Sequence, residues 1–85
     1  MKSDWNIRNN ALCRKLTFSD FRTAFAFMQK VADKCEELNH HPDWRNCYNT
    51  VEIMLCTHDA GDVITEKDYL LAEAIDLIYN GLEIQ

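Results

Sequence analysis

The sequence is poor in glycine and proline, with two glycines and one proline among 85 residues. This scarcity argues against flexible linkers and low-complexity segments. Hydrophobic residues make up 47% of the chain, which is typical of a globular protein. A chain of this length has room for one hydrophobic core, so we predict a single domain over residues 1–85.

The chain also lacks a basic cluster and a long apolar run. Nine basic residues against fourteen acidic ones give a net charge of -5, which repels phosphate backbones, so we expect no direct nucleic-acid binding. The longest unbroken apolar run, Ala24 to Met28, is too short to cross a membrane, and residues 1–10 lack the apolar segment of a signal peptide. We therefore expect no membrane association and a cytoplasmic location, with the nucleus left open.

The four cysteines include no CxxC pair, which argues against a zinc ribbon or a dithiol redox motif. Without a secretion signal, we expect four reduced thiols. Cys35 and Cys47 have apolar neighbours, so we expect them to lie in or near the core as small hydrophobic residues.

Hydrophobic periodicity predicts the element order strand–strand–helix–strand–strand–helix. Residues 5–18 alternate with a period of two around a turn at Asn9 and Asn10, which favours a hairpin. A second hairpin is expected to turn at residues 49–50, and residues 51–57 alternate in the same way. Short connections and locally paired strands predict an α+β fold, a four-stranded antiparallel sheet with helices packed on one face.

The ends of both helices carry sequence signals. Ser19 is the predicted N-cap of the first helix, and Pro42 is predicted to end it. Thr65 and Asp68 match the capping-box pattern at the start of the second helix, and Gly81 is its predicted C-cap. Helical spacing predicts that the buried stripe of the first helix consists of Phe21, Ala24, Phe25, Met28, Val31, Ala32, Cys35 and Leu38.

The three histidines flank the second predicted hairpin. His40 and His41 follow the first helix, and His58 follows the last strand. Because an antiparallel hairpin brings its start and its end together, all three can meet at one edge of the sheet. Three interpretations remain open at this point: zinc ligation by neutral imidazoles, acid–base catalysis near neutral pH, and surface histidines near a turn.

The spacing of the histidines and the carboxylates near them help to distinguish these interpretations. Adjacent His40 and His41 diverge on most backbones and lack the spacing usual for paired metal ligands, so acid–base chemistry suits the residue types better. Glu36 lies one turn before His40 and could position it, or it could be an ordinary surface charge. Asp68 could face the cleft as well as cap its helix. Two further carboxylates, Asp59 and Asp62, are interpreted as ordinary loop residues.

Several of these residues together resemble a known family. The motif Glu36-x-x-x-His40-His41-Pro42, followed by Tyr48, His58 and Asp68 at fixed intervals, resembles the signature of the pterin-4a-carbinolamine dehydratase family. The segments "FSDFRTAFAFMQKVA" and "ITEKDYLLAEAID" are similar to that family as well. The resemblance extends from about Trp5 to Ile78, nearly the whole chain.

The resemblance implies an activity and a set of site residues. The activity would be dehydration of 4a-hydroxytetrahydropterin to quinonoid dihydropterin in tetrahydrobiopterin recycling, by histidine acid–base catalysis without a metal or an organic cofactor. His40 and His58 would transfer protons, and His41 would mainly orient the pterin. Trp44 would form a wall of the pocket, with Asp68 and Glu36 as supporting carboxylates.

The resemblance also implies protein partners. We expect a homodimer and leave a homotetramer open, since many members carry an additional helix before the tryptophan corresponding to Trp5, whereas four residues precede it here. Some members serve as dimerisation cofactors of a homeodomain transcription factor, which is the alternative function. The helix from Ser19 to Leu38 would supply that surface, and an exposed apolar stripe on it would favour this alternative.

Overall fold

Four strands and two long helices make up the chain in a computed structural model that describes residues 4–83. The order β-β-α-β-β-α and the α+β class are confirmed, and all strand pairs are antiparallel. A short 3-10 turn, His58–Ala60, lies between the last strand and the last helix. The elements are β1 (Asn6–Arg8), β2 (Ala11–Thr17), α1 (Phe21–Leu38), β3 (Asp43–Cys47), β4 (Thr50–Leu55) and α2 (Glu66–Glu83).

The sheet has the order β1-β2-β4-β3. Asn9 and Asn10 join β1 to β2 with φ angles of 53° and 62°, values that asparagine tolerates better than most residues. At the centre of the sheet, Leu16 lies opposite Val51, and both side chains are buried. The alternating apolar residues of β2 and β4 thus form the sheet's contribution to the core.

The second hairpin turns one residue earlier than predicted. Tyr48 has a φ angle of 52°, and Thr50 is already the first residue of β4. Asp43, at the start of β3, lies opposite Met54 near the end of β4. The hairpin therefore places the residues that follow β4 beside the connection between α1 and β3.

Both ends of α1 differ from the sequence prediction. The N-cap is Asp20 and not Ser19, because the Asp20 carboxylate accepts a hydrogen bond from the backbone N–H of Thr23 at 2.8 Å. The helix ends at Asn39, which adopts the left-handed conformation with a φ angle of 54°. Pro42 lies three residues further on and does not itself end the helix.

The buried face of α1 is partly different from the predicted stripe. Phe27 was not predicted, yet it is fully buried, whereas Phe21 and Phe25 are 48% and 46% exposed. Apolar residues occur around much of this helix, so periodicity alone does not determine which stripe faces the sheet. The buried residues of α1 are Ala24, Phe27, Val31 and Cys35.

Only one of the two hydrogen bonds of the predicted capping box forms at the start of α2. The Asp68 carboxylate accepts from the Thr65 N–H at 2.8 Å, whereas the Thr65 hydroxyl bonds to Thr57. The helix continues through Gly81 to Glu83, so the predicted C-cap at Gly81 is wrong. Neither long helix in residues 4–83 is long and apolar enough to span a membrane.

The cysteines occupy different environments. All four are free thiols. Cys35 is buried as predicted, and burial, together with the charge of Glu36, raises the pKa of its thiol to about 11. Cys47 is exposed on β3, so its predicted place in or near the core is wrong. The hydrophobic neighbours of Cys47 in the sequence do not indicate which face of β3 its side chain occupies.

Candidate active site

The three histidines line one small cleft of about 180 Å3 between the end of α1, the end of β4 and the start of α2. A concavity of about 350 Å3 lies elsewhere on the sheet, but no histidine lines it. The smaller cleft is therefore the candidate active site, because it holds groups that can exchange protons near neutral pH. The remaining residues that line the cleft are Asn39, Thr57, Asp59 and Lys67.

The end of α1 fixes the position of His40. Left-handed Asn39 reverses the chain, and its N–H bonds to the carbonyl groups of Cys35 and Glu36. The His40 N–H also donates to the Cys35 carbonyl, at 3.0 Å. These bonds satisfy carbonyls that the helix end would otherwise leave free, and they hold the His40 backbone at the edge of the cleft.

A buried carboxylate fixes the ring of His40. Asp68 is fully buried, and its two carboxylate oxygens accept hydrogen bonds from His40 Nε2 at 2.6 Å, the Thr57 hydroxyl at 2.8 Å and the Thr65 N–H at 2.8 Å. Because Nε2 donates to the carboxylate, the neutral imidazole keeps its lone pair on Nδ1. Asp68 thus selects the tautomer of His40 while it caps α2.

His41 is held differently from its neighbour. Its Nε2 lies 2.7 Å from a carboxylate oxygen of Glu36, and both side chains are exposed. The two adjacent histidines therefore diverge, one toward the buried carboxylate of α2 and one toward the surface of α1. Exposed pairs of this kind contribute little to stability, so the pair mainly orients the His41 ring.

A closed loop carries the third histidine. The Thr57 N–H donates to the Val63 carbonyl at 2.8 Å, and the Gly61 N–H donates to the His58 carbonyl at 3.0 Å. Gly61, with a φ angle of 91°, lets the chain turn back so that the Asp62 carboxylate lies 2.6 Å from His58 Nδ1. Each histidine of the cleft is thus paired with its own carboxylate.

The carboxylates around His58 change its acid–base behaviour. The hydrogen bond to Asp62 and the charge of Asp62 raise the pKa of His58 above its ordinary value of 6.5, with smaller contributions from Asp43 and Asp59. The protonated ring therefore persists to a higher pH than in an isolated histidine. The stabilisation from this pairing is fully present below the unfolded-state pKa and is lost as pH rises through the folded-state pKa.

We expect the Asp62→Asn variant to lower the pKa of His58, because the variant removes the two largest contributions that raise it. NMR titration of the imidazole protons measures this shift directly. Asp59→Asn is the matched control and should produce a smaller shift, since the Asp59 charge is the weakest of the contributions. An unchanged His58 titration in Asp62→Asn would contradict the pairing.

One group of three side chains could hold a metal ion. Within residues 4–83, the ligand atoms of Asp43, Cys56 and His58 lie within 4.8 Å of one another, and no other group of three or more His, Cys, Asp or Glu residues meets that criterion. His40 and His41 are absent from this group. The three histidine side chains therefore do not adopt the zinc site that was one of the interpretations of the sequence.

The other predicted site residues, Glu36, Trp44 and Asp68, do not line the cleft. Trp44 is half-buried on β3 and packs against the core, and its role as a pocket wall stays a prediction. Sequence reasoning missed Asp62, although it lies four residues after His58 with a glycine between them. It also missed Thr57, which bonds to Asp68, and Lys67, which lines the cleft.

Comparisons with known proteins agree on one family. A family model for "Pterin 4 alpha carbinolamine dehydratase" matches residues 1–78. A protein named "Putative pterin-4-alpha-carbinolamine dehydratase" from Nitrobacter winogradskyi is 56% identical over 68 residues, covering 80% of this chain and 66% of that protein. The chain thus spans just under two thirds of that relative's length. A protein of the same name from Prochlorococcus marinus is 50% identical over 91% of this chain and 80% of its own.

Two solved structures share the fold. The crystal structure of a transcriptional coactivator/pterin dehydratase from Brucella melitensis has a TM-score of 0.86 and 38% identity, covering 89% of this chain and 82% of that one. A pterin dehydratase-like protein identified as a RuBisCO assembly factor in the alpha-carboxysome has a TM-score of 0.71 over 88% of this chain and 86% of its own. Its identity is 21%, so that likeness shows the fold alone.

Proposed function

This chain belongs to the pterin 4 alpha carbinolamine dehydratase family, and we propose that it is a hydro-lyase that converts 4a-hydroxytetrahydropterin to quinonoid dihydropterin. The substrate would include the 4a-hydroxy form of tetrahydrobiopterin, so the enzyme would take part in tetrahydrobiopterin recycling. The observation that carries it is the cleft in which His40, His41 and His58 are each paired with a carboxylate.

The reaction requires two proton transfers on one bound pterin. The bond from carbon 4a to its hydroxyl breaks, and the hydroxyl leaves as water only after it receives a proton. A ring nitrogen loses a proton as the new double bond forms. The overall step is a loss of water without oxidation or reduction, so the acid and the base suffice and the proposal requires no cofactor. Histidines at two walls of one cleft can supply both groups.

We assign the acid role to His58. Its Nδ1–H is engaged by Asp62, and Nε2 lies 3.8 Å from the Asp43 carboxylate. The surrounding carboxylates stabilise the imidazolium, and the raised pKa of His58 keeps more of it protonated at neutral pH. Because the ring is exposed, it can recover a proton from solvent after each turnover.

We assign the base role to His40. With Nε2–H bonded to Asp68, the lone pair on Nδ1 is available to accept a proton. When it does so, Asp68 stabilises the imidazolium that forms, as a buried carboxylate does for the histidine of a catalytic triad. Burial of the pair excludes water, which strengthens this electrostatic support.

The other predicted site residues have supporting roles in the proposal. His41, oriented by Glu36, would hold the pterin through its exposed ring, and Trp44 would close one side of the site. Asp68 and Glu36 act as positioning residues, because each contacts a histidine.

A direct assay of 4a-hydroxytetrahydropterin dehydration tests the function. We expect the wild-type protein to accelerate the loss of water well beyond the uncatalysed rate in the same buffer. The Cys47→Ser variant is a matched control, since Cys47 is exposed and does not line the cleft, and it should retain the wild-type rate. A wild-type rate equal to that of buffer alone would remove the proposal.

An exposed apolar surface supports the second candidate function, protein binding. Phe21 and Phe25 lie with ring centroids 5.8 Å apart on α1, and both are about half exposed. They line a shallow groove with Arg22, Ala26 and Gln29. This apolar surface exceeds what the core uses, which is the feature expected of a helix that also binds a partner.

We propose that this α1 surface joins two copies of the chain in a homodimer, and that a homeodomain transcription factor is the alternative occupant. Burial of a phenylalanine side chain contributes roughly 1.5–3 kcal/mol, and the dimer would bury two from each copy. The surface is independent of the histidine cleft, so both functions can coexist in one cytoplasmic or nuclear protein.

We expect the double variant Phe21→Ser, Phe25→Ser to raise the dimer dissociation constant by about 100-fold or more, because apolar area is lost from both copies. Sedimentation equilibrium over a concentration series measures this constant. Leu77→Ser is the matched control, since Leu77 is 70% exposed on α2 and should leave the assembly unchanged. Equal dissociation constants for wild type and the double variant would contradict the proposed interface.

A further inference from the structure

Three potential metal ligands, one of which is the cleft residue His58, lie close together. Asp43 begins β3, Cys56 follows β4, and His58 begins the 3-10 turn. Their ligand atoms lie within 4.8 Å of one another, and the Asp43 carboxylate is 3.8 Å from His58 Nε2. Asp43 and His58 are exposed and Cys56 is half-buried, so an ion can reach the group from solution.

The orientation of His58 suits metal binding. Its Nδ1–H donates to the Asp62 carboxylate at 2.6 Å, which leaves the lone pair on Nε2, the nitrogen nearer to Asp43. Metal-bound histidines nearly always donate their other ring N–H to a carboxylate or carbonyl group, which fixes the tautomer and strengthens the ligand. Asp62 already supplies that support.

The charges at this site favour a cation. The Asp62 and Asp43 carboxylates lie 2.6 and 3.8 Å from the two ring nitrogens of His58, and their charges give this site a negative electrostatic field. A divalent cation gains from that field, and it displaces the thiol proton when it binds. One sulfur, one nitrogen and one carboxylate oxygen form a ligand set that zinc accepts.

We propose that Asp43, Cys56 and His58 form an inhibitory Zn2+ site that overlaps the active site. Zinc binds the Cys56 sulfur, His58 Nε2 and an Asp43 oxygen, with water in the fourth position, and the proton of the Cys56 thiol, together with the Nε2 proton of a protonated His58, is released to the buffer. Tetrahedral zinc with bonds of about 2.0–2.3 Å places its ligands roughly 3.5 Å apart, so the side chains must close by about 1 Å. Two of the three are exposed and have room to move.

Inhibition follows because the same nitrogen cannot bind zinc and exchange a proton. The metal takes the Nε2 lone pair of His58 and thereby removes the proposed acid from the reaction. This consequence rests on the proposed dehydratase function, whereas metal binding does not. The site shares only His58 with the catalytic pair, so His40 and Asp68 remain unchanged when zinc binds.

Cobalt spectroscopy tests the binding without any assay of activity. Co2+ added to the wild-type protein, in a reductant that does not chelate metals, should give a thiolate-to-cobalt charge-transfer band. Cys56→Ser should abolish the band, whereas the matched variant Cys47→Ser should retain it because Cys47 lies outside the group. Asp62→Asn should weaken zinc affinity in competition titrations by about 10–100-fold. A wild-type protein without the band, or a band that persists in Cys56→Ser, would overturn the site.

Zinc inhibition of the dehydratase tests the consequence. We expect Zn2+ to stop dehydration by the wild-type protein, a chelator to restore it, and Cys56→Ser to remain active at the same zinc concentration. A chelator that removes activity instead of restoring it would overturn the inhibitory role. A protein inactive even without zinc would remove the proposed function, and the cobalt band would still decide whether the metal site exists.

Discussion

The His40→Ala and His58→Ala variants are expected to dehydrate 4a-hydroxytetrahydropterin about 10²–10⁴ times more slowly than the wild-type protein, the usual contribution of a positioned proton-transfer group. Each variant leaves one half of the acid–base pair intact, so one proton must then move to or from water. The loss should appear in kcat. Initial rates over a range of substrate concentrations separate kcat from KM.

His41→Ala is the matched control for the histidine series. His41 lines the same cleft and pairs with Glu36, but the proposal gives it a role in holding the substrate. Its loss should raise KM more than it lowers kcat. Circular dichroism should show a folded protein in all three variants. A kcat loss confined to His41→Ala would reverse the assignment of roles between the neighbouring histidines.

The pH dependence of the rate provides a further check on these roles. If His58 acts as the acid, kcat/KM should fall as pH rises through its raised pKa, because the deprotonated ring cannot protonate the leaving hydroxyl. Asp62→Asn should move that descending limb to lower pH. An unmoved limb would assign the acid to another group.

Asp68→Ala is expected to lower the free energy of unfolding by about 3–5 kcal/mol, because it leaves the buried donors of His40 and Thr65 without an acceptor. Urea denaturation measures the change. Asp59→Ala is the matched control, since Asp59 is exposed near the same cleft, and its stability should change by less than about 0.5 kcal/mol. Equal stabilities of the two variants would contradict the role of Asp68 in the fold.

Asp68→Asn separates the positioning role from the structural one. The amide oxygen can still accept from Thr57 and Thr65, but an NH2 group facing His40 favours the wrong tautomer of its ring, with the proton on Nδ1. A similar exchange in a catalytic triad preserves the geometry and strongly reduces kcat. We expect Asp68→Asn to lose kcat by about 100-fold or more while it remains folded. A kcat that falls only in proportion to the unfolded fraction would leave Asp68 with a structural role alone.

The order of the elements and the meeting of the histidines could be predicted because they follow from alternation and topology. Leu16, Val51 and Ile53 mark the buried face of the sheet by period two, and the structure buries all three. The hairpin between His41 and His58 has to bring its two ends together. Such patterns depend on backbone geometry that is nearly independent of distant contacts.

The incorrect predictions concern positions where two nearby residues are almost equally suited to the same role. Ser19 and Asp20 are both good N-caps, and only the local backbone decides that Asp20 bonds to Thr23. Phe25 and Phe27 both lie on apolar stripes of α1, and packing against the sheet selects Phe27. Asp62 was dismissed as a loop residue because its contact with His58 depends on the turn at Gly61.

The shortage of glycine has a consequence for the denatured chain. Of the residues with clearly positive φ angles in residues 4–83, one is glycine, and three are asparagine: Asn9, Asn10 and Asn39. A residue with a side chain has fewer accessible conformations than glycine when the chain is unfolded, so it loses less entropy on folding. Asn39, which ends α1 beside His40, therefore positions the site with a smaller entropic cost than glycine would require. A chain of this size has a small hydrophobic core. The lower conformational entropy of its unfolded state therefore adds to the stability that burial of apolar surface provides.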